Sequence, residues 1–292
     1  MPSLADQLRI GKEKIYGVVT LGAGVGLWLL IAWALWGGLT SNNAITRSVT
    51  QVYLGYAIAI AFFVFISRLL YRASAFGNMI LLGPHQFPEL YAMVVVGANS
   101  LGMNEPPKTF LYNSNGLFNA FARRLFGGRY VFLTSALVDA TNDEQVRFVI
   151  GHELGHHAAG HLNPWTGILR MPSLVIPFLY PAYSRAREYT CDRIGAHLSK
   201  SVVASTTSLQ MLGCGCRRLN GAMNQTSFLE QEALVPPISG FFNEALRSHP
   251  RLTRRVKAII REFAQQPAGS GQREAARPVR QLGTPGLETG ST

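Results

Sequence analysis

The sequence predicts a mainly α-helical domain with a small antiparallel β-sheet, preceded by a two-helix transmembrane hairpin. Two long runs carry no charged residue, one between Lys14 and Arg47 and one between Arg47 and Arg68. Later segments have the apolar spacing of amphipathic helices. Only short stretches within residues 108–134 have the β-forming residues and glycine boundaries that are typical of strands.

The two uncharged runs are each long enough to cross the roughly 30 Å hydrocarbon core of a bilayer. They predict membrane spans at about 16–36 and 51–70. The first run is too long for the apolar part of a usual signal peptide, and a second run follows directly. Glycines at every second position from Gly22 to Gly26 suit close helix packing in lipid. The alternative interpretation is that one run is a buried core helix.

Basic residues around the hairpin predict its orientation. Three precede the first run, two follow the second, and the loop between the runs has only Arg47. The flanking residues are Arg9, Lys12, Lys14, Arg68 and Arg72. Because basic residues remain on the cytoplasmic side, the domain after the hairpin is expected in the cytoplasm, at the inner (plasma) membrane of a bacterium. The three cysteines, an odd number, do not indicate a disulfide framework.

The segments after the hairpin change from helical to strand patterns and back. Pro88–Met103 has helical spacing, and three short strands follow it, the last two separated by Gly127-Gly128. The strands are predicted at Lys108–Tyr112, Leu117–Ala122 and Arg129–Thr134. Further helices are predicted at about 141–161, 184–219 and 250–264.

The most informative motif lies in the first of these later helices. His152 and His156 are four residues apart, so on a helix both imidazoles can reach one ion. Glu153 is turned about 100° away and can hold a metal-bound water instead. Zinc lowers the pKa of such a water to about 7, and a neighbouring carboxylate can then take its proton. Metal-assisted amide hydrolysis requires this arrangement.

Other histidines in and near this helix have open roles. The motif itself has the alternative interpretation of a polar helix face with solvated imidazoles. His157 and His161 are four residues apart on a different face. A second metal there is one interpretation, and surface or supporting roles are favoured over it.

Two histidines leave zinc under-coordinated, because catalytic zinc sites usually have three protein ligands. A third histidine at the metzincin position is excluded, since that position is Leu162. Glu188 on the next predicted helix is the other candidate, and Asp192 lies one turn later on the same face. That second carboxylate could orient a ligand histidine through its free ring N–H. Without the motif, an ordinary charged helix surface would explain both carboxylates.

The order and spacing of these residues resemble the M48 zinc metallopeptidases, the HtpX- and Ste24-type proteases. Two further segments carry the same resemblance. They are Asn119-Ala120-Phe121-Ala122 and Ser248-His249-Pro250 with Arg255. The resemblance covers about residues 87–264 and implies a zincin-like domain, in which the small sheet flanks the motif helix.

The resemblance also implies roles for the matched residues. One Zn²⁺ per chain would be bound by His152, His156 and Glu188. Glu153 would be the general base and then the proton donor, and Asp192 would support a ligand histidine.

Three matched positions have less defined roles. His249 and Arg255 would either stabilise the oxyanion or hold the helices around the site. Asn119, together with Ala120, would bind the substrate backbone from an edge strand. The alternative for Asn119 is an ordinary turn residue.

Residues 171–183 are apolar and contain three prolines, but they are too short for a membrane span. HtpX-type proteases carry further spans in this interval, so the chain departs from them here. A membrane-dipping loop, a lid over the substrate cleft and part of the core remain open.

The predicted domains are a cytoplasmic N-terminus at 1–14, the hairpin at 15–72, the metallopeptidase domain at 73–264 and a disordered tail at 265–292. The net charge is +11, with eight Lys/Arg against two Glu in residues 251–280. No aromatic stacking pattern accompanies this charge, so attraction to anionic lipid is favoured over nucleic-acid binding. Cys214 and Cys216 could bind a metal, but packing is the favoured role.

The sequence therefore predicts a membrane-anchored zinc endopeptidase that acts on polypeptides, such as misfolded or membrane proteins, in quality control or regulated proteolysis. An intramembrane protease with its motif inside a span is disfavoured, because charged residues such as Asp143 and Arg147 surround the motif. A non-catalytic membrane scaffold that retains the fold is the remaining alternative.

Overall fold

The structure is a computed structural model that describes residues 2–264, so the predicted disordered tail at 265–292 lies outside the described residues. The helices are α1 (Leu4–Leu8), α2 (Gly11–Leu39), α3 (Ala44–Asn78), α4 (Pro88–Ser100), α5 (Ser135–Ala140), α6 (Asp143–Ala158), α7 (Pro164–Arg170), α8 (Leu179–Ser199), α9 (Val202–Cys214), α10 (Arg217–Ala222), α11 (Gln225–Glu230), α12 (Pro237–Leu246) and α13 (Leu252–Ala264). The strands are β1 (Ile80–Leu81), β2 (Lys108–Tyr112), β3 (Ala120–Leu125) and β4 (Gly128–Thr134). Two 3₁₀ helices cover Met171–Val175 and Gln231–Leu234.

The helices α2 and α3 are long and apolar enough to cross a membrane. Both extend beyond the predicted spans because the helical hydrogen bonds continue into the flanking polar residues. The most apolar stretch of α3 has no buried residue. Large side chains such as Trp33 of α2 and Phe62 and Phe63 of α3 are well exposed. This exposure argues against the buried core helix and suits contact with lipid.

The sheet has the strand order β1-β2-β4-β3 and is mixed, so the expectation of a wholly antiparallel sheet is wrong in one pairing. The β1–β2 and β3–β4 pairs are antiparallel, whereas β2 and β4 are parallel. The reason is the chain path. After β2 the chain crosses to the far edge to form β3, and a tight turn at Phe126-Gly127, both with positive φ, returns it as β4 in between.

The side chains of β4 alternate between two apolar layers, as the period of a strand requires. Val131 and Leu133 join the main core with residues of α4, α6 and α8. Tyr130 and Phe132 face the other side, where they stack with Phe110 of β2 beneath the end of α3. The sheet therefore packs on the motif helix on one side and on the second apolar helix on the other.

The predicted helix at 184–219 is wrong in extent, because two breaks divide it. The helix α8 ends at Lys200, which has a φ of 56°, and Ser201 then caps α9. Gly215, with a φ of 62°, ends α9 between the two cysteines. The motif helix also ends earlier than predicted, at Ala158.

Residues 164–178 lie against the first apolar helix. The Trp28 side-chain N–H donates to the Ile168 carbonyl oxygen at 2.8 Å. A Cβ on Gly24 would overlap the Leu169 carbonyl oxygen, so the predicted close packing at the glycines occurs at this position. Val175 is 74% exposed beside α2. The 3₁₀ helix at Met171–Val175 thus borders α2, residues 179–183 form the start of α8, and none of residues 171–183 lines the cleft.

The helices α6 and α8 approach each other most closely where both lack side chains. A Cβ on Gly195 would lie 2.6 Å from the Phe148 carbonyl oxygen, and one on Gly151 would lie 2.9 Å from the Cα of Gly195. Glycine at these positions is what allows the two backbones to come into contact. The side chains one turn away on each helix are thereby brought within reach of one another.

Replacing Gly195 with alanine is expected to destabilise the protein by about 1–3 kcal/mol, because the new methyl group would push α6 from α8. Unfolding in detergent would be compared with Gly221→Ala, whose Cβ would meet nothing within 4 Å. That control should be neutral or slightly stabilising. Equal unfolding free energies for the two variants would show that the contact does not constrain the helices.

Candidate metal centre

The motif side chains face a cavity of about 320 Å³ between β3, α6, α8 and the loop before α13. A capping box between Asn142 and Gln145 fixes the start of α6. The cavity lining includes His152, Glu153 and His156 of this helix. The structure therefore brings the three motif residues to one cleft, as the helical spacing predicts.

Glu188 enters the same cleft from α8. One carboxylate oxygen lies 3.4 Å from Nε2 of His152, and the other lies 3.6 Å from Nε2 of His156. Zinc with ligands at about 2.0–2.1 Å in tetrahedral geometry separates them by about 3.3 Å. Each of the two imidazole–carboxylate distances is thus close to the separation that a shared zinc ion would give.

A second donor set shares the two histidines but has Cys191 as its third member, with the donor atoms within 4.8 Å of one another. The Cys191 thiol lies 3.6 Å from Nδ1 of His161. Complete burial raises the pKa of Cys191 well above its usual value, which disfavours the thiolate that a metal requires. Glu188, the third ligand predicted from the sequence, lines the cleft.

Asp192 lies behind the first ligand histidine. Its Oδ1 is 3.0 Å from Nδ1 of His152, and because a carboxylate only accepts, that ring nitrogen donates. Arg255 holds the carboxylate with two hydrogen bonds, of 2.8 Å and 2.6 Å. These contacts place Asp192 where a ligand-orienting carboxylate is needed. For Arg255 they favour holding the helices over stabilising an oxyanion.

The second ligand histidine has a different support. Gly160, with a φ of 74°, turns the chain back after α6, so His161 lies beneath the motif. Its Nδ1 is 3.1 Å from Nδ1 of His156, and its Nε2 is 3.0 Å from Oε1 of Glu13. The buried Glu13 belongs to the first turn of α2 and was absent from the predicted site. A single acidic residue beside an apolar run is the one sequence feature that marks it.

His157 points elsewhere. Its Nε2 lies 3.0 Å from the Tyr130 carbonyl oxygen of β4. His157 and His161 thus have separate partners and do not form a second metal site. Within residues 2–264 the cysteines Cys214 and Cys216 also lie outside any cluster of three or more potential metal ligands.

Ionisation at the cleft suits metal-assisted hydrolysis. Burial raises the pKa of Glu153 to about 7, with the charge of Glu188 adding to it, while His152 and the Ala122 backbone amide lower it. A base with this pKa is matched to neutral pH. Although burial opposes it, contacts with Asp192 and Glu188 raise the pKa of His152 to about 10. A metal would therefore replace a proton on this ring.

The remaining predicted residues lie at the rim of the cleft. Asn119 and Ala120 line it where the edge strand β3 begins. The backbone of Asn119 is paired with Thr134, so the strand edge is fixed at this point. His249 is 64% exposed, and its Nε2 lies 3.7 Å from Oε1 of Glu188. The structure thus gathers the predicted site residues around one cleft, with Asp192 behind His152 rather than in its lining.

Comparison with known proteins agrees with this geometry. The family model for peptidase family M48 matches residues 84–179 and 165–262. The chain belongs to peptidase family M48. The matched range contains the cleft and every candidate metal ligand.

Individual relatives of this M48 member are archaeal. A "Protease HtpX homolog" of Pyrobaculum islandicum is 36% identical over 158 residues, which is 53% of this chain and 44% of the relative. One from Pyrobaculum calidifontis is 28% identical over 225 residues, covering 64% of this chain and 63% of the relative. One from Archaeoglobus fulgidus is 30% identical over 158 residues, which is 53% of this chain and 45% of the relative. The chain spans about half to two thirds of the length of these curated relatives.

Among solved structures, the crystal structure of S. mikatae Ste24p is similar to this M48 chain with a TM-score of 0.48 at 15% identity. The similarity covers 86% of this chain and 66% of that protein.

Peptide hydrolysis by this M48 chain should decline as the pH falls below about 7. Protonation removes Glu153 as a base, so kcat/KM should fall about tenfold per pH unit below its pKa. The positive charge of a bound metal would move this limb to lower pH without reversing its direction. Rates between pH 5 and 9 would be measured with metal content determined at each point. A rate with no acid limb anywhere in the pH range over which the metal is retained would rule out this role for Glu153.

Proposed function

We propose that this M48 member is a membrane-anchored zinc endopeptidase. The observation that carries the proposal is the convergence of two imidazoles and one carboxylate, from α6 and α8, beside the buried Glu153. Zinc bound by His152, His156 and Glu188 would supply a Lewis acid and lower the pKa of water to about 7.

In this proposal Glu153 takes a proton from the attacking water and passes it to the leaving amine. Its pKa near 7 allows both roles at neutral pH. Asp192 keeps His152 in the tautomer that presents Nε2 to the cleft. Arg255 fixes Asp192 and so acts through it.

The substrate would bind along the edge of the sheet. The strand β3 is the edge next to the cleft, and Ala120 and Ala122 both line the cavity. A peptide held as a further strand by main-chain hydrogen bonds would have its scissile carbonyl group beside the water that Glu153 activates. The exposed His249 also lines the cavity, and in this proposal it would donate a hydrogen bond to the developing oxyanion.

The membrane arrangement follows from α2 and α3. As a hairpin they would place the domain at 73–264 at the membrane surface. Basic residues in the N-terminal segment and after the second run favour a cytoplasmic location and a multi-pass topology. Accessible substrates would be misfolded or membrane-proximal polypeptides, as quality control or regulated proteolysis requires. We propose that the protein lies in the plasma membrane. Because the relatives described above are archaeal, the bacterial source expected from the sequence stays a prediction.

Cleavage of unfolded casein by the zinc-loaded protein in detergent tests this function. Glu153→Gln should lower the rate by about 10²–10⁴-fold, because it removes the general base while keeping its shape. Glu144→Gln, an exposed change in the same helix, is the matched control and should retain full activity. Equal zinc content in the three proteins would be verified first. Wild-type activity in Glu153→Gln would contradict the mechanism, and no activity in any zinc-loaded protein would favour a non-catalytic scaffold.

A further inference from the structure

An arginine–carboxylate pair lies behind each candidate ligand histidine. Behind His152 the carboxylate is Asp192, held by Arg255, and it contacts the ring directly. Behind His156 the corresponding pair is Glu13 with Arg9, whose guanidinium donates at 2.7 Å. This second pair reaches its ligand through the intervening ring of His161.

The contacts that run from His156 through His161 to Glu13 are consistent with one placement of the ring protons. Nε2 of His156 faces Glu188, so its ring proton is on Nδ1 in a metal-binding tautomer. That N–H donates to Nδ1 of His161, 3.1 Å away. His161 then carries its own proton on Nε2 and donates it to Glu13 at 3.0 Å. Each neutral ring donates once toward the carboxylate.

The burial of these groups shows that the contacts are built into the fold. The side chains of Glu13 and His161 are each 1% exposed. A buried carboxylate is costly unless it is paired, so its retention at the start of an apolar helix requires partners. Those partners are Arg9, four residues before it, and His161, 148 residues away in sequence.

The same junction has further contacts. Arg9 also donates to the Ala159 carbonyl oxygen at the end of α6, at 2.6 Å. The Ile10 backbone N–H donates to the Thr190 hydroxyl of α8 at 3.2 Å. The segment that leads into the first apolar helix is therefore attached to both helices that carry the metal ligands.

We propose that Glu13 is a positioning residue for the metal centre: acting through His161, it fixes the tautomer and orientation of His156 and links the first apolar helix to metal affinity. The proposal rests on the proposed function, since it takes His156 as a ligand. Removal of such outer carboxylate–histidine contacts typically weakens metal binding by about 10–100-fold.

Zinc affinity of the full-length protein in detergent tests this, measured by competition with a chromophoric chelator. Glu13→Gln should bind zinc about 10–100-fold more weakly than the wild type, and His161→Ala should show a similar loss. The double variant should lose no more than the larger single loss, because the two residues act in series. Thr20→Ala is the control, since this buried hydroxyl on α2 bonds only carbonyl groups of its own helix.

The possible outcomes distinguish failure of the proposed function from failure of the role inferred for Glu13. A wild type that binds no zinc would overturn the proposed function and this inference together. Unchanged zinc affinity in Glu13→Gln, with a lower unfolding temperature of the metal-free protein, would reduce Glu13 to a structural ion pair. Additive losses in the double variant would show that Glu13 does not act through His161. Because Glu13→Gln keeps the side-chain shape, it provides the test even where His161→Ala fails to fold.

Discussion

The close contact between α6 and α8 is the constraint on which the site depends. Two imidazoles from one helix and a carboxylate from the other must lie about 3.3 Å apart to share a zinc ion. Helices with ordinary side chains between them have axes 8–10 Å apart. Gly151 and Gly195 remove those side chains, so the backbones meet. The candidate ligands His152, His156 and Glu188 can then converge.

The second requirement is that the buried charges around this contact are paired. Asp192 is paired with Arg255, and Glu13 is paired with Arg9. Asp192 contacts the candidate ligand His152 directly, whereas Glu13 reaches His156 through the ring of His161. Burial without such partners would cost several kcal/mol per ion. In the proposed function these ionic groups orient the candidate metal ligands. Through Glu13, this pairing extends to the first apolar helix.

The sequence predicted the centre of the site because its geometry is local. The spacing of His152 and His156 on one helix fixes their common face, and the family resemblance supplied Glu188. Glu13 was not predictable, because nothing local links it to a histidine 148 residues later. The parallel β2–β4 pair escaped prediction for the same reason, since strand order depends on the crossover path. The contact between His161 and His156 was not predicted, because it depends on the turn at Gly160 that ends the helix.

Zinc K-edge X-ray absorption of the zinc-loaded protein tests the central claim, that the ligands are two histidines and the Glu188 carboxylate. The account predicts only nitrogen and oxygen neighbours, at about 2.0–2.2 Å, with the multiple scattering of imidazole rings. Glu188→Ala should remove one oxygen neighbour or abolish binding. A sulfur neighbour at about 2.3 Å would instead identify Cys191 as a ligand and contradict the ligand set proposed for this cleft.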